Sequence, residues 1–275
     1  MSPAPKINPR SLILNLLVVN DVESLTAREA VAACRLFGVL ENSVRVALAR
    51  LSAEGLVESA GRGAYRLGPS AEDLAHEVAT WPRVESRLRE WNGGWIAIHV
   101  GALSRSDRRA LRARDRALAM LGMRELDRGL YVRPDNLAGG VADVRERLYR
   151  LGLERDAAIF TAHEFDAGRE QRILKLWDGE ALSAHYRKAR AKLEAWMERA
   201  PALERDVAAR ESYLMGGGAI RELVFDPLLP EPFVDVGARH AFVETVRAFD
   251  LFGKGIWRAW RLGGTNGDAV AARAH

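Results

Sequence analysis

Behind a start broken by Pro3, Pro5 and Pro9, the stretch from Ser11 to Val19 is almost continuously aliphatic and reads as a short buried helix. Thr26 and Glu29 have the spacing of a capping box, in which each side chain satisfies the other residue's backbone amide, so a second helix is predicted over 27–36. Gly38 breaks the chain, and a third helix is predicted over 42–54, closed by Gly55 where a left-handed residue is wanted. Within it Val44, Ala47, Leu48 and Leu51 fall at i, i+3, i+4 and i+7, one stripe facing a core. At about 100° per residue the opposite face centres on Asn42, Val46 and Ala49, next to Ser43 and flanked by Arg45 and Arg50. Residues 56–58 and 64–67 then read as two strands around Gly61-Arg62-Gly63, a hairpin with a cation at its tip and Arg66 on its second strand. Three helices followed by a basic-tipped hairpin are the element order of a winged helix-turn-helix over residues 9–69.

The middle of the chain changes period. Residues 70–91 are charged and helical in pattern, with a bend expected at Trp81-Pro82, because proline disfavours a helical residue before it. Residues 95–100 read as a strand apolar on both faces, and 106–121 as a strongly basic helix with Ser106 as its cap. Two short strands, 122–126 and 129–133, flank Asp127-Arg128; a helix over 141–151 and a strand over 157–164 follow. The order βαββαβ over residues 92–167 is that of a ferredoxin-like split unit. From 168 to 262 the pattern is helical, interrupted at Asp178-Gly179, Ala200-Pro201, Gly216-Gly217-Gly218 and the proline-rich 227–232. The triple glycine reads as a hinge, or as a phosphate cradle at a helix start. Residues 263–275 have no apolar period and are expected to form a flexible tail. The fold class expected is α+β.

Composition narrows the function. Hydrophobic residues make 48% and charged residues 28% of 275, which excludes wholesale disorder. The longest uncharged apolar run, 11–20, is about half of the ~20 residues a membrane helix needs, and no small-residue cleavage site follows, so neither a span nor a signal peptide is expected. Cys34 is the lone cysteine, which excludes intramolecular disulfides and cysteine zinc clusters and suits a reducing cytoplasm. Net charge is +4, and residues 1–69 carry eight basic against six acidic groups. So small an excess hints at a polyanionic partner but decides nothing.

Catalytic patterns are missing. The six histidines show no zinc-binding spacing, and there is neither a nucleophile elbow nor a phosphate loop. No enzymatic activity, cofactor or metal is expected. Binding chemistry is better represented. Guanidiniums at 45 and 50 suit phosphates or guanine edges, Asn42 suits adenine, and Arg62 suits a backbone or minor groove. The basic run Arg105, Arg108, Arg109, Arg112, Arg114 and Arg116 is either solvated surface or a phosphate contact, to DNA or to the nucleotide part of a thioester. His99 and His163 fall on the first and fourth strands, neighbours in a ferredoxin-like sheet, where the two rings can meet; structural roles for both are the alternative. With Trp95 and Arg133 they are the candidates for contact with a small effector.

The pieces Ser11-Leu12-Ile13-Leu14, Phe37-Gly38-Val39, Val44 to Leu51 and Glu54-Gly55-Leu56-Val57 resemble the opening of the PaaX-like family of bacterial repressors of phenylacetate degradation and their relatives. Trp91-Asn92-Gly93-Gly94-Trp95, Gly129 to Pro134 and Asp226-Pro227-Leu228-Leu229-Pro230 carry the similarity through nearly the whole chain. Where many members have Trp-x-Gly after that last block, this chain reads Pro232-Phe233-Val234-Asp235-Val236-Gly237. The resemblance implies a winged-helix DNA-binding domain, a middle domain similar to the Cas2 fold and a helical C-terminal domain. It further implies a homodimer on double-stranded operator DNA, repressing a catabolic operon and released by an aryl- or acyl-CoA such as phenylacetyl-CoA. Two rival readings stay open. One is a metal-dependent nuclease on the Cas2-like scaffold, although the first strand ends His99-Val100-Gly101-Ala102-Leu103, without the carboxylate such a site needs. The other is an acyl-CoA-responsive protein-interaction module.

Overall fold

The computed structural model describes residues 8–19, 24–71, 79–104 and 106–271, with side chains to residue 260. Residues 72–78 of the expected connector, Arg105 of the basic run, and residues 272–275 of the expected tail lie outside these. The protein is mixed α/β and mostly helical, with two small sheets, and its chain divides into two units.

The first unit comprises residues 1–80, 195–218 and 248–275. Helices α1 (Pro9–Val19), α2 (Ala27–Arg35) and α3 (Glu41–Ala53) lie within a residue or two of the ranges their periodicity predicts. The capping box is present: the Glu29 amide donates to Thr26 Oγ1 at 3.2 Å, and the Thr26 amide donates to the Glu29 carboxylate at 2.8 Å. A two-residue strand that the pattern did not signal, β1 (Leu25–Thr26), pairs with β3 (Ala64–Leu67), which pairs in turn with β2 (Val57–Ser59). Leu12, Ile13, Ala30, Cys34, Val44 and Leu51 meet in the core of this unit. That core also takes Ala209 and Trp257, from helices α8 (Arg205–Val224) and α9 (Val236–Ala271). The Tyr213 ring lies 5.2 Å from that of Phe37, edge to face, and its hydroxyl donates to the Leu12 carbonyl at 3.4 Å. Residues more than 150 positions apart in sequence thus share one core.

The second unit comprises residues 81–194 and 219–247. Its four strands are β4 (Trp95–His99), β5 (Arg124–Asp127), β6 (Leu130–Pro134) and β7 (Ala158–Ala162), in the order β5-β6-β4-β7, every neighbour antiparallel. Central β4 is apolar on both faces, as a strand covered on both sides must be, and Ile96, Ala97 and Ile98 are fully buried. Helices α4 (Arg108–Met120) and α5 (Gly140–Arg150) contribute Ala117, Leu118, Val144 and Leu148 to the core. Asp107, not Ser106, caps α4: its carboxylate accepts from the amides of Arg109 at 2.8 Å and Ala110 at 3.1 Å, which holds its pKa below the ordinary value. Ser106 instead sits within hydrogen-bond distance of the Ser104 hydroxyl. The bend expected at Trp81-Pro82 is a 3-10 segment, Trp81–Arg87, kinked at Arg83.

Helices α6 (Ala167–Ile173) and α7 (Gly179–Arg199) follow β7, and α7, α8 and α9 each supply residues to both units. The triple glycine does not break the chain; α8 runs through it without interruption. Likewise α9 continues to Ala271, past the point where composition suggested a tail. Among the described residues no helix is long and apolar enough to cross a membrane.

Candidate nucleic-acid interface

Helix α3 sets the site. Val44, Ala47, Leu48 and Leu51 are all at most 4% exposed, and burying each of the three larger side chains contributes roughly 1.5–3 kcal/mol. Turning the helix over would forfeit all of it, so the aliphatic stripe fixes which face looks out. Outward lie Asn42, Ser43, Arg45, Val46, Ala49 and Arg50, every one exposed, with Val46 half exposed at their centre. Small side chains down the middle of that face let a partner approach the backbone closely.

The hairpin stands beside it. Glu58 pairs with Arg66 and Ser59 with Tyr65 across the strands, and the Ala60 and Ala64 backbones close the turn. Gly61 and Gly63, both with positive φ, make the reversal and leave Arg62 exposed at the tip. Because β1 joins the same sheet and the Ala27 amide donates to the Gly63 carbonyl at 2.9 Å, the tip is tied to the start of α2.

The cations on this surface are not equivalent. Arg45 donates through Nε (3.0 Å) and Nη2 (2.7 Å) to Glu41 one turn earlier, and Arg66 through Nε to Glu58 at 2.6 Å. Such exposed pairs are worth only about 0.2–1 kcal/mol in water. Neither Arg50 nor Arg62 has a partner among the described residues. Sequence spacing separated the two helix arginines from the two on the hairpin; the three-dimensional neighbours divide each of those pairs in turn.

A groove of about 600 Å³ opens between α2, the first turn of α3 and the hairpin tip. Arg28, Arg35, Arg45 and Arg62 line it, and among its described lining residues Glu41 is the one carboxylate. Sequence reasoning missed Arg28 and Arg35. The signal was available, since Arg28, Val31, Ala32 and Arg35 fall at i, i+3, i+4 and i+7 on α2, but a polar stripe on an amphipathic helix does not announce what it faces.

In the second unit the residues considered for an effector are placed very differently from one another. His99 and His163 do not meet. Pairing of β4 with β7 is antiparallel and sets His99 opposite Ala158, whereas His163 follows Ala162, which lies opposite Trp95 at the other end of the strand. At about 3.3 Å per residue that separates them by more than 10 Å. Each ring is exposed and lies against a glycine, His99 beside Gly101 and His163 beside Gly94. Trp95 stacks on Trp177 at 6.4 Å and meets Trp91 and Phe233 edge to face, as one packed aromatic cluster.

Arg133 is 1% exposed and committed to protein acceptors: the carbonyls of Pro134, Leu121 and Pro227, and Asn136 Oδ1 at 2.9 Å. Burial pulls its pKa down to about 9, so it remains a cation at neutral pH. Its partners show its task, which is to hold the loop Asp226–Pro230. Asn136 Nδ2 donates to the Leu228 carbonyl at 2.7 Å, Arg239 Nη1 to the Leu229 carbonyl at 2.6 Å and the Tyr186 hydroxyl to Asp226 at 2.6 Å. A guanidinium this occupied and this covered has no face for an anionic ligand.

The basic run on α4 is also divided. Arg114 is 4% exposed and is paired with Glu154, Nε to Oε2 at 3.1 Å, while Nη2 donates to the Ser104 carbonyl at 3.0 Å; Arg108, Arg109, Arg112 and Arg116 are exposed. Among the described residues one metal-ligand-like group occurs, Glu85, His240 and Glu244. Other contacts account for it: His240 Nδ1 lies 2.8 Å from Glu85 Oε2, within hydrogen-bond distance, and Arg247 pairs with Glu244.

An exposed, arginine-bordered helix face next to a cation-tipped hairpin is the kind of surface that polyanion-binding proteins present. The comparisons with known proteins say which kind. The PaaX-like protein family matches residues 8–71 and the PaaX-like protein C-terminal domain matches residues 177–259, together more than half of the chain. The chain belongs to the PaaX-like family, and that membership implies a DNA-binding transcriptional regulator. No curated protein matches it. Among solved structures, the uncharacterized protein Rv0674 from Mycobacterium tuberculosis is similar, with 22% identity over 91% of this chain and 99% of that one and a TM-score of 0.54. At that identity the likeness concerns the fold.

Proposed function

We propose that this protein is a cytoplasmic repressor that reads operator DNA through a winged helix-turn-helix formed by residues 9–69. Helix α3 enters the major groove, where Asn42, Ser43, Val46, Ala49 and Arg50 meet base edges, and Arg62 follows the backbone or minor groove beside it. The observation that carries the reading is the division of α3 itself: four aliphatic positions sealed in the core, and a polar, arginine-bordered face left open next to the hairpin tip. Two copies related by a two-fold axis would occupy half-sites one or more helical turns apart. The βαββαβ sheet of the second unit, with its order β5-β6-β4-β7, supports a ferredoxin-like, Cas2-like scaffold for that part of the chain. The resemblance to phenylacetate repressors suggests an aryl- or acyl-CoA as effector. It would act through unequal affinity for the DNA-bound and free states.

The test is fluorescence anisotropy of the full chain on the DNA upstream of its own gene and on a scrambled duplex. Arg50→Ala and Asn42→Ala are each expected to cost about 1–3 kcal/mol on the specific site and little on the scrambled one. Arg62→Ala is expected to weaken both alike. Equal wild-type affinity for the two duplexes at matched salt would count against α3 as a reader of sequence.

A further inference from the structure

The groove between α2, the start of α3 and the hairpin tip is lined by four arginines, two of them on α2 and outside the α3 face assigned to base reading. We propose that it seats the sugar–phosphate backbone of the bound duplex, with Arg28, Arg35, Arg45 and Arg62 as its phosphate contacts and Glu41 as an internal competitor that limits affinity. The inference rests on the DNA-binding reading and deepens it.

Four guanidiniums from three separate elements converge on one space of about 600 Å³, and among the described residues that line it Glu41 is the one carboxylate. That excess is local, since the whole chain carries a net charge of only +4. Helix α2 builds one wall: Arg28 and Arg35 lie seven residues, or two turns, apart on a single stripe, with Val31 and Ala32 between them as a low apolar floor. The other side of α2 is sealed in the core through Ala30, Ala33 and Cys34, so the stripe cannot turn away. Leu40, which precedes Glu41, offers no side-chain cap to α3, leaving the first amides of that helix without a side-chain acceptor. Among the described residues Arg35 and Arg62 have no hydrogen-bond or ion-pair partner.

Glu41 gives the groove its particular behaviour. It accepts both donated hydrogen bonds from Arg45 and holds that guanidinium along the groove. Arg45 therefore belongs with the backbone contacts, and Arg50, on the same helix, with the base-reading face. A phosphate arriving beside Arg45 must displace the Glu41 carboxylate and meets its repulsion. Affinity for DNA of any sequence is thereby held down, which leaves discrimination to the contacts on the outer face of α3.

The experiment measures binding of the full chain to an arbitrary duplex of about three helical turns, ~30 base pairs, across a range of salt. Arg35→Ala is expected to weaken binding to every sequence and to reduce the slope of log affinity against log salt by about 0.9, one phosphate contact. Glu41→Gln is expected to do the reverse, tightening binding several-fold on specific and arbitrary duplexes alike and narrowing the ratio between them. Both positions are exposed, and circular dichroism melting checks that each variant is folded. If wild type binds DNA but folded Arg35→Ala keeps the wild-type slope, or Glu41→Gln leaves affinity unchanged or weaker, the backbone does not run through this groove. The α3 reading would then still stand on Arg50→Ala. If wild type binds neither duplex, the DNA-binding reading falls and takes this inference with it.

Discussion

Arg133 and Arg50 show how little a side chain's identity says about its work. Both are arginines in segments that resemble a regulator family, yet one is sealed with its donors spent on carbonyls and the other is open to solvent. The difference lies in what surrounds them. Asn136 belongs with Arg133: its side chain accepts from that guanidinium and donates to the Leu228 carbonyl, and it is 2% exposed. Asn136→Ala would strand a buried carbonyl and a buried donor together. We expect a loss of about 1–3 kcal/mol in urea unfolding, with no direct effect on DNA contacts. Glu154 offers a pH test. The hydrogen bond from Arg114 is the largest influence on its carboxyl and holds its pKa below the ordinary value. A carboxylate lowered in the folded state stabilises the fold above its unfolded pKa, about 4.3, and that contribution disappears as pH falls through the lowered folded value. Glu154→Gln should therefore cost stability at neutral pH, on the order of 1.5–3 kcal/mol, and give a flatter acid limb in denaturation curves recorded below about pH 4.5.

At the scale of elements, α8 carries the plainest lesson. Three consecutive glycines disfavour a helix by roughly 1 kcal/mol each relative to alanine, and local propensity accordingly puts a break there. The helix continues because its flanks are packed, with Ser212, Ala219, Ile220 and Leu223 buried along it. The glycines are not interchangeable either. A Cβ on Gly216 would lie 3.2 Å from the Phe249 ring, whereas one on Gly217 meets nothing within 4 Å. Gly217→Ala should raise stability by about 0.5–1 kcal/mol, the entropy saved in the unfolded chain. Gly216→Ala should lower the thermal midpoint instead, since Phe249 has to give way. If both substitutions stabilise, close packing of α8 on that ring is not what keeps Gly216. The capping box makes the companion case: Thr26→Ala is expected to cost about 1 kcal/mol. It would also loosen the start of α2, next to the groove that Arg28 lines.

For the molecule as a whole, the units do not follow the order of the chain. The core around α1 to α3 includes Ala209 and Trp257, so the N-terminal helices and parts of α8 and α9 are expected to unfold together. Truncation after residue 69 should remove that support and leave a fragment far less protected from proteolysis than the same residues in the full chain. The proposed dimer adds a prediction at this scale. Light scattering should report twice the chain mass of 30.4 kDa in solution, and a stoichiometry on operator DNA of two chains per palindromic site.

Local features of this protein were legible in its sequence because they depend on near neighbours. The stripe of Val44 to Leu51, the Thr26–Glu29 capping box, the glycine-turned hairpin at 61–63 and the βαββαβ succession are written in periods and short spacings. Those same features aim the outward face of α3 and expose Arg62 at the hairpin tip, so these orientations could be read directly. Tertiary structure alone decided the rest. It alone shows that α2's arginines and Arg62 share one groove, that Arg45 is held by Glu41 while Arg50 is not, that His99 and His163 part along an antiparallel pair, and that Arg133 is consumed by a loop more than 90 residues away. Burial and charge pairing are properties of neighbours in space, and a helix continues through glycine when distant contacts outweigh the local cost.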